Sequence, residues 1–170
     1  MHYTITLRNN IKVLFPLILI FVCCIGGIIY IENTDGKHSY AIIFATFFFV
    51  LSALPCIYLH LEYYMYNKGR SMDIFPEKGH FIWANESGQK TIEFSEIEKI
   101  LICRTPSGFR KNSIRYLPFE GYHYAIIYLK SKETIIFTSL MAPIIEDAAG
   151  YIIGVEIELK KRFFCNIVLR

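Results

Sequence analysis

Two long apolar runs near the N-terminus dominate the pattern of the chain. Residues 13–31 read VLFPLILIFVCCIGGIIYI, and residues 40–61 read YAIIFATFFFVLSALPCIYLHL. Neither contains Lys, Arg, Asp or Glu. An α-helix rises about 1.5 Å per residue and a bilayer core is about 30 Å thick, so roughly 20 apolar residues cross it. Both runs meet that length. The link between them, residues 32–39, is short and polar. The pattern predicts a helical hairpin, residues 1–66, with both outer ends on one side of a membrane.

From Ser71 the period falls to two. Short alternating runs occupy residues 71–76, 80–85, 90–94 and 97–104. Turn residues separate them at Glu77-Lys78-Gly79 and Glu86-Ser87-Gly88, as hairpins require. A weak segment at 113–117 follows. The strongest strand is 121–130, GYHYAIIYLK, rich in tyrosine and isoleucine. Ser131-Lys132 turns it into 133–140. The period then becomes helical. Pro143 suits a first turn, and Ile144, Ile145, Ala148, Ala149 and Ile152 share one face. Glu146 and Asp147 come early, where the helix dipole favours acids. Gly154 is a stop, and 155–159 alternates again. Residues 67–170 therefore predict a single polar domain hung from the hairpin.

Charge orients the hairpin. Arg8 and Lys12 precede the first run, Lys68 and Arg70 follow the second, and the link holds two acids and one base. The positive-inside rule places both termini in the cytoplasm of a multi-pass protein of the cell (inner) membrane. Tyrosines cluster near the run ends, where an amphipathic ring sits at headgroup level. A cleaved signal peptide is the rival reading. Against it, the first run continues past Gly26-Gly27 to Ile31 with no A-x-A site. No small residue precedes Cys23 or Cys24, as lipidation requires. Pro16 falls in the first turn of its run, and Pro55 is expected to kink the second. Gly26-Gly27 suggests close approach to Ala45, Ser52 or Ala53.

The overall charge of +3 is too small to argue for nucleic acid. Five scattered cysteines, Cys23, Cys24, Cys56, Cys103 and Cys165, form neither a disulfide framework nor a zinc set. No cofactor and no metal ligand is indicated. The candidates for catalysis are His60 with Glu62, His80 and His123. Residues two apart diverge on a helix, and a histidine between two tyrosines on a strand is by default structural. There is no phosphate loop and no HExxH, so no catalytic residue is assigned. The most distinctive charged stretch is RTPSGFRKNSIR, residues 104–115. Its Arg104, Phe109, Arg110, Lys111 and Arg115, with no acid among them, suit a contact with anionic lipid headgroups. Lys160-Lys161-Arg162 with Phe163-Phe164 is a second stretch of the same kind.

Short antiparallel strands followed by an amphipathic helix resemble the order of a pleckstrin-homology-like (PH-like) barrel. The stretches IEFSEIEKI at 92–100, YHYAIIYL at 122–129 and IIFTSL at 135–140 with the helix after it carry the likeness. The chain resembles bacterial membrane proteins with two N-terminal transmembrane helices and a cytoplasmic PH-like domain. The resemblance implies an α+β membrane protein: a two-helix hairpin, then an antiparallel β-barrel or sandwich capped by a C-terminal helix. It also implies a binding or scaffolding module without chemistry of its own. Its partners would be membrane lipids, a protein, or a second copy of the chain. Near Glu77-Lys78-Gly79 the first hairpin offers one lysine, so no inositide site carries over. The alternatives are a membrane-bound immunity-type protein neutralising a toxin, and a small enzyme at the membrane interface.

Overall fold

The computed structural model describes residues 1–33, 39–109 and 117–167. Among the described residues eight strands and three α-helices follow in chain order. β1 (His2–Thr4) leads into α1 (Leu7–Asn33) and α2 (Ser39–Asn67). Then come β2 (Ser71–Phe75), β3 (His80–Asn85), β4 (Gly88–Glu93) and β5 (Ile97–Arg104). β6 (Tyr124–Leu129), β7 (Thr134–Thr138), α3 (Ile145–Gly150) and β8 (Glu156–Lys161) complete the chain.

The polar N-terminal head is a strand. β1 pairs antiparallel with β2, Thr4 against Ser71 and His2 against Asp73. The helical hairpin is thus inserted between two adjacent strands of one sheet, and it leaves and returns at neighbouring points. α1 begins at Leu7, earlier than the apolar run, because Thr6 caps it: Thr6 Oγ1 accepts the Asn9 N–H at 3.2 Å. Pro16 consequently lies inside α1 rather than in its first turn. α2 runs through Pro55 as one helix. Both helices, over Leu7–Tyr30 and Ile42–Asn67, are long and apolar enough to cross a membrane.

The expected barrel is not closed. Two four-stranded sheets form instead, in the orders β1-β2-β3-β4 and β7-β6-β5-β8. Nor is the second sheet wholly antiparallel, since β8 lies parallel to β5, Ile100 against Ile157. The chain reaches that edge by crossing over through α3, which a parallel pairing needs. α3 is a single short helix of six residues. Ile144 is its extended N-cap and is exposed, whereas Ile145, Ala148, Ala149 and Ile152 are buried as the period predicts. The weak segment at 113–117 falls mostly outside the described residues.

Alternation along the strands divides the apolar side chains between two cores. Met72, Ile74, Phe81, Trp83 and Ile92 of the first sheet face Ile100, Ile102, Ala125, Ile127 and Phe137 of the second. α3 seals this core with Ile145, Ala148, Ala149 and Ile152. The other face of the second sheet carries Cys103, Tyr124, Ile126 and Ile136. It is covered by α2 through Cys56, Leu59 and Tyr63. β6 is therefore buried on both faces, which explains its near-continuous apolar sequence. Each such large side chain contributes about 1.5–3 kcal/mol by burial.

Candidate functional site

The hairpin has two parts with different surroundings. In its distal part the helices touch mainly each other. Ile20, Cys24 and Ile28 of α1 are half-buried at helical spacing, as are Ile42, Ala45 and Phe49 of α2. Phe21 and Phe49 meet with ring centres 5.4 Å apart. The outward faces are bare and apolar, with Phe15, Val22, Ile29, Phe44, Phe47 and Leu54 all exposed. Gly26 and Gly27 do not mediate the approach. A Cβ on either would meet nothing within 4 Å.

In its proximal part the hairpin is locked to the domain. Ser52, Ala53, Cys56, Leu59, Tyr63 and Asn67 are the buried positions of α2; from Cys56 onward they are three or four residues apart and so on one face. Asn67 Nδ2 donates to the Ile136 carbonyl of β7 at 3.1 Å. Tyr63 Oη donates to the Cys165 carbonyl at 2.6 Å. The Ile167 N–H donates to Glu62 Oε2 at 3.1 Å. The last two bonds strap the C-terminal segment along the helix. A 3-10 turn at Pro118–Gly121 fills the space at the hairpin base with Phe119. On the α1 side, Asn9 Nδ2 donates to the carbonyls of Leu140 and Met141 at 3.3 and 3.2 Å.

The junctions are short. Two residues separate β1 from α1, and three separate α2 from β2. Gly69 turns the chain out of α2 with φ +69°, a left-handed conformation that glycine adopts without cost. The domain is thus fixed to the hairpin as one body, not suspended from a flexible tether.

Rings and thiols fill the join. Tyr122 Oη lies 3.0 Å from His60 Nδ1 and 3.5 Å from Cys56 Sγ. Tyr63 packs edge-on against both Tyr122 and Tyr124. Arg162 Nη1 donates to Tyr124 Oη at 3.4 Å. Burial raises the phenols of Tyr122 and Tyr124 far above their ordinary range, and neighbouring Cys56 and Cys103 add to the effect. Burial likewise pushes the Cys165 thiol up to about 12, with Cys103 beside it. A buried thiol held protonated is a poor nucleophile.

The histidines and acid considered for catalysis do not converge. His60 turns to Tyr122, while Glu62 takes the Ile167 N–H. His123 is buried with Nδ1 2.9 Å from the Gly121 carbonyl, and His80 lies against Phe75. Among the described residues no group of three His, Cys, Asp or Glu is placed to hold a metal. A cleft of about 560 Å³ opens between the β3–β4 and β6–β7 turns. Trp83 and Thr134 line it, and Lys90 is ion-paired there with Glu133.

Of the basic stretch, Arg104 ends β5 and is ion-paired with Glu146 of α3. It is committed within the fold. Phe109 closes a 3-10 turn at Pro106–Phe109. Its side chain, with Arg110, Lys111 and Arg115, lies outside the described residues. Thr105 Oγ1 donates to the Glu120 carbonyl at 3.2 Å. The stretch therefore leaves from and returns to the hairpin base. In the second stretch Lys160 and Lys161 are exposed on β8, and Phe163 and Phe164 continue to the same base. What the sequence did not reveal is the buried stripe of α2. Its small and polar members, Ser52, Cys56 and Asn67, are the trace it leaves.

A family model described as PH domain matches residues 2–145. The match begins in β1, includes both helices and ends at the start of α3. Comparisons with curated proteins and with solved structures found no match. A match over most of the chain, on a fold that places the helical hairpin between two paired strands of the first sheet, means that the chain belongs to the PH domain family.

Proposed function

We propose that this protein is a membrane-anchored PH-domain module that binds a lipid or protein partner and has no chemistry of its own. PH domains are generally non-catalytic binding modules for lipids or proteins. The hairpin crosses the bilayer, and both of its outer ends, with the PH-like part at 67–170, lie on the cytoplasmic side. The observation that carries the reading is the insertion of the hairpin between paired strands, Thr4 against Ser71. Two helices that start and finish at one sheet edge deliver both ends to the same side. Their bare apolar faces need a covering, and lipid supplies it.

The loop of residues 105–116 contributes the headgroup contact, through Phe109, Arg110, Lys111 and Arg115. Its support is position: both ends of the loop are held at the hairpin base. Arg104 acts as its internal anchor. Reporter fusions test the topology. A reporter active only outside the cytoplasm is expected to be silent after Arg170 and active when inserted at Asp35. The reverse pattern, or activity at both sites, sinks the proposal.

A further inference from the structure

The hairpin is shorter than it looks, because the domain occupies its base. On α1 the apolar cluster that joins hairpin and domain reaches Leu17. On α2 it begins at Cys56. Beyond those points residues 18–33 and 39–55 remain, roughly 24–26 Å of helix at about 1.5 Å per residue. A hydrocarbon core of about 30 Å exceeds that by several ångströms. If the hairpin crosses, entry of the hairpin base into the membrane makes up the difference.

The side of the molecule that would enter is suited to it. Below the last free turn the outward face of α2 stays apolar, with Tyr58, Leu61 and Met65 exposed while Leu59 and Tyr63 are buried against the domain. Tyr58 stacks on Phe164 at 6.0 Å. Phe164 and Phe163 both meet Phe119 edge-on, at 5.8 and 5.6 Å. Phe163 is 68% exposed, although it lies in this aromatic group. The chain reaches it directly from Lys160 and Lys161, both exposed. A collar of rings beside lysines matches the boundary between acyl chains and anionic headgroups.

We infer that Tyr58, Phe163 and Phe164, backed by the buried ring of Phe119, form an aromatic collar that seats the domain in the headgroup–acyl boundary, with Lys160 and Lys161 on the anionic headgroups. This inference rests on the hairpin crossing the membrane. It makes the C-terminal segment part of the membrane surface of the protein and fixes which side of the domain remains free for a partner. The free side is the opposite end of the second sheet, at the β6–β7 turn.

Tryptophan depth measurements test it. The full chain is placed in bilayers of phosphatidylethanolamine and phosphatidylglycerol with bromines at shallow or deep acyl positions. The native Trp83 is buried between the sheets and provides the background. Phe163→Trp is expected to add emission that shallow bromines cut by at least half and deep bromines cut less. Phe47→Trp, in the distal hairpin, is expected to be quenched most by deep bromines. Ser131→Trp, in the β6–β7 turn, is expected to be unaffected. If Trp at 163 is unquenched while Trp at 47 is quenched, the hairpin inserts and the collar does not, and the inference is overturned. If Trp at 47 is also unquenched, the anchoring proposal fails and takes the inference with it. Phe163 is exposed, so replacing its ring leaves the fold in place; an unchanged circular dichroism spectrum checks this.

Discussion

The Tyr63 hydroxyl, fully buried in the middle of the join, donates a 2.6 Å hydrogen bond to the carbonyl of Cys165, 102 residues later in the chain. The preceding residue, Glu62, accepts the N–H of Ile167. Two adjacent helix residues thus hold two alternate residues of an otherwise irregular C-terminal segment. The segment in turn carries Phe164 against Tyr58.

Tyr63→Phe removes the donor and leaves the Cys165 carbonyl buried without it. The expected loss is about 1–2 kcal/mol. In the detergent-solubilised chain this reads as a fall in Tm of roughly 2–4 °C per kcal/mol. Glu62→Gln keeps an acceptor for Ile167 and is expected to cost less than Glu62→Ala. Limited proteolysis should release the segment after 162 sooner in Tyr63→Phe than in the parent chain. Equal cleavage in the two would show that the bond does not hold the strap.

Gly69 sets the angle between hairpin and domain. At φ +69° an added Cβ would also approach Glu86 Oε1 to 3.2 Å. Gly69→Ala is expected to cost about 1–2 kcal/mol from the left-handed conformation alone. Gly69→Asn, which tolerates that conformation better, should cost less. A Tm for Gly69→Ala equal to that of the parent would mean the junction relaxes freely, and the rigid coupling of domain to hairpin would be wrong.

Burial gives the join a pH signature. The Cys165 thiol has an ordinary value of 9.0 and is raised to about 12 in the fold. A group raised on folding contributes its full stability below the unfolded value and loses it as pH rises through the folded one. Stability of the parent chain is therefore expected to be flat from pH 7 to about 9 and to fall between about 9 and 12. Cys165→Ala should show a shallower fall over that window. At pH 8, iodoacetamide should label the buried Cys165 far more slowly in the folded protein than after denaturation. Rapid labelling of Cys165 in folded protein would contradict the packing.

The sequence was most legible where one physical constraint acted alone. The absence of charge over two runs marked both long helices, and period-two alternation marked β2 to β7. The face of α2 that meets the domain was not legible, because a run that is apolar all round does not say which side the domain covers and which side it leaves bare. The start of α1 was hidden by Arg8, Asn9, Asn10 and Lys12, polar residues inside a helix. β1 is three residues long, too short to establish a period. It becomes a strand only because β2, some 70 residues later, supplies the pairing. The parallel placement of β8 is equally non-local. In the candidate site, Arg104 looked like its basic neighbours, since its partner Glu146 belongs to another element.

That last pairing separates Arg104 from Phe109, Arg110, Lys111 and Arg115 experimentally. Arg104 and Glu146 have side chains 21% and 32% exposed, so the pair contributes more than a fully solvated bridge, about 1 kcal/mol. Arg104→Gln is expected to lower Tm by a few degrees and to leave lipid binding unchanged. A Glu146→Gln variant should lower Tm similarly, and the double variant should cost less than the sum of the two, because the pair is already broken. Changing Arg110, Lys111 and Arg115 together to Gln should do the opposite. Each base near an anionic surface contributes about 1 kcal/mol, so three give at most about 3 kcal/mol, roughly a hundredfold in affinity. Native mass spectrometry of the detergent-solubilised chain reads this as loss of retained phosphatidylglycerol with unchanged Tm. Retention in the parent should also weaken as salt shortens the screening length below about 8 Å. Phosphatidylglycerol retained equally by parent and triple variant, or lost equally in Arg104→Gln, would remove the loop from the lipid contact and leave the hairpin base to supply it.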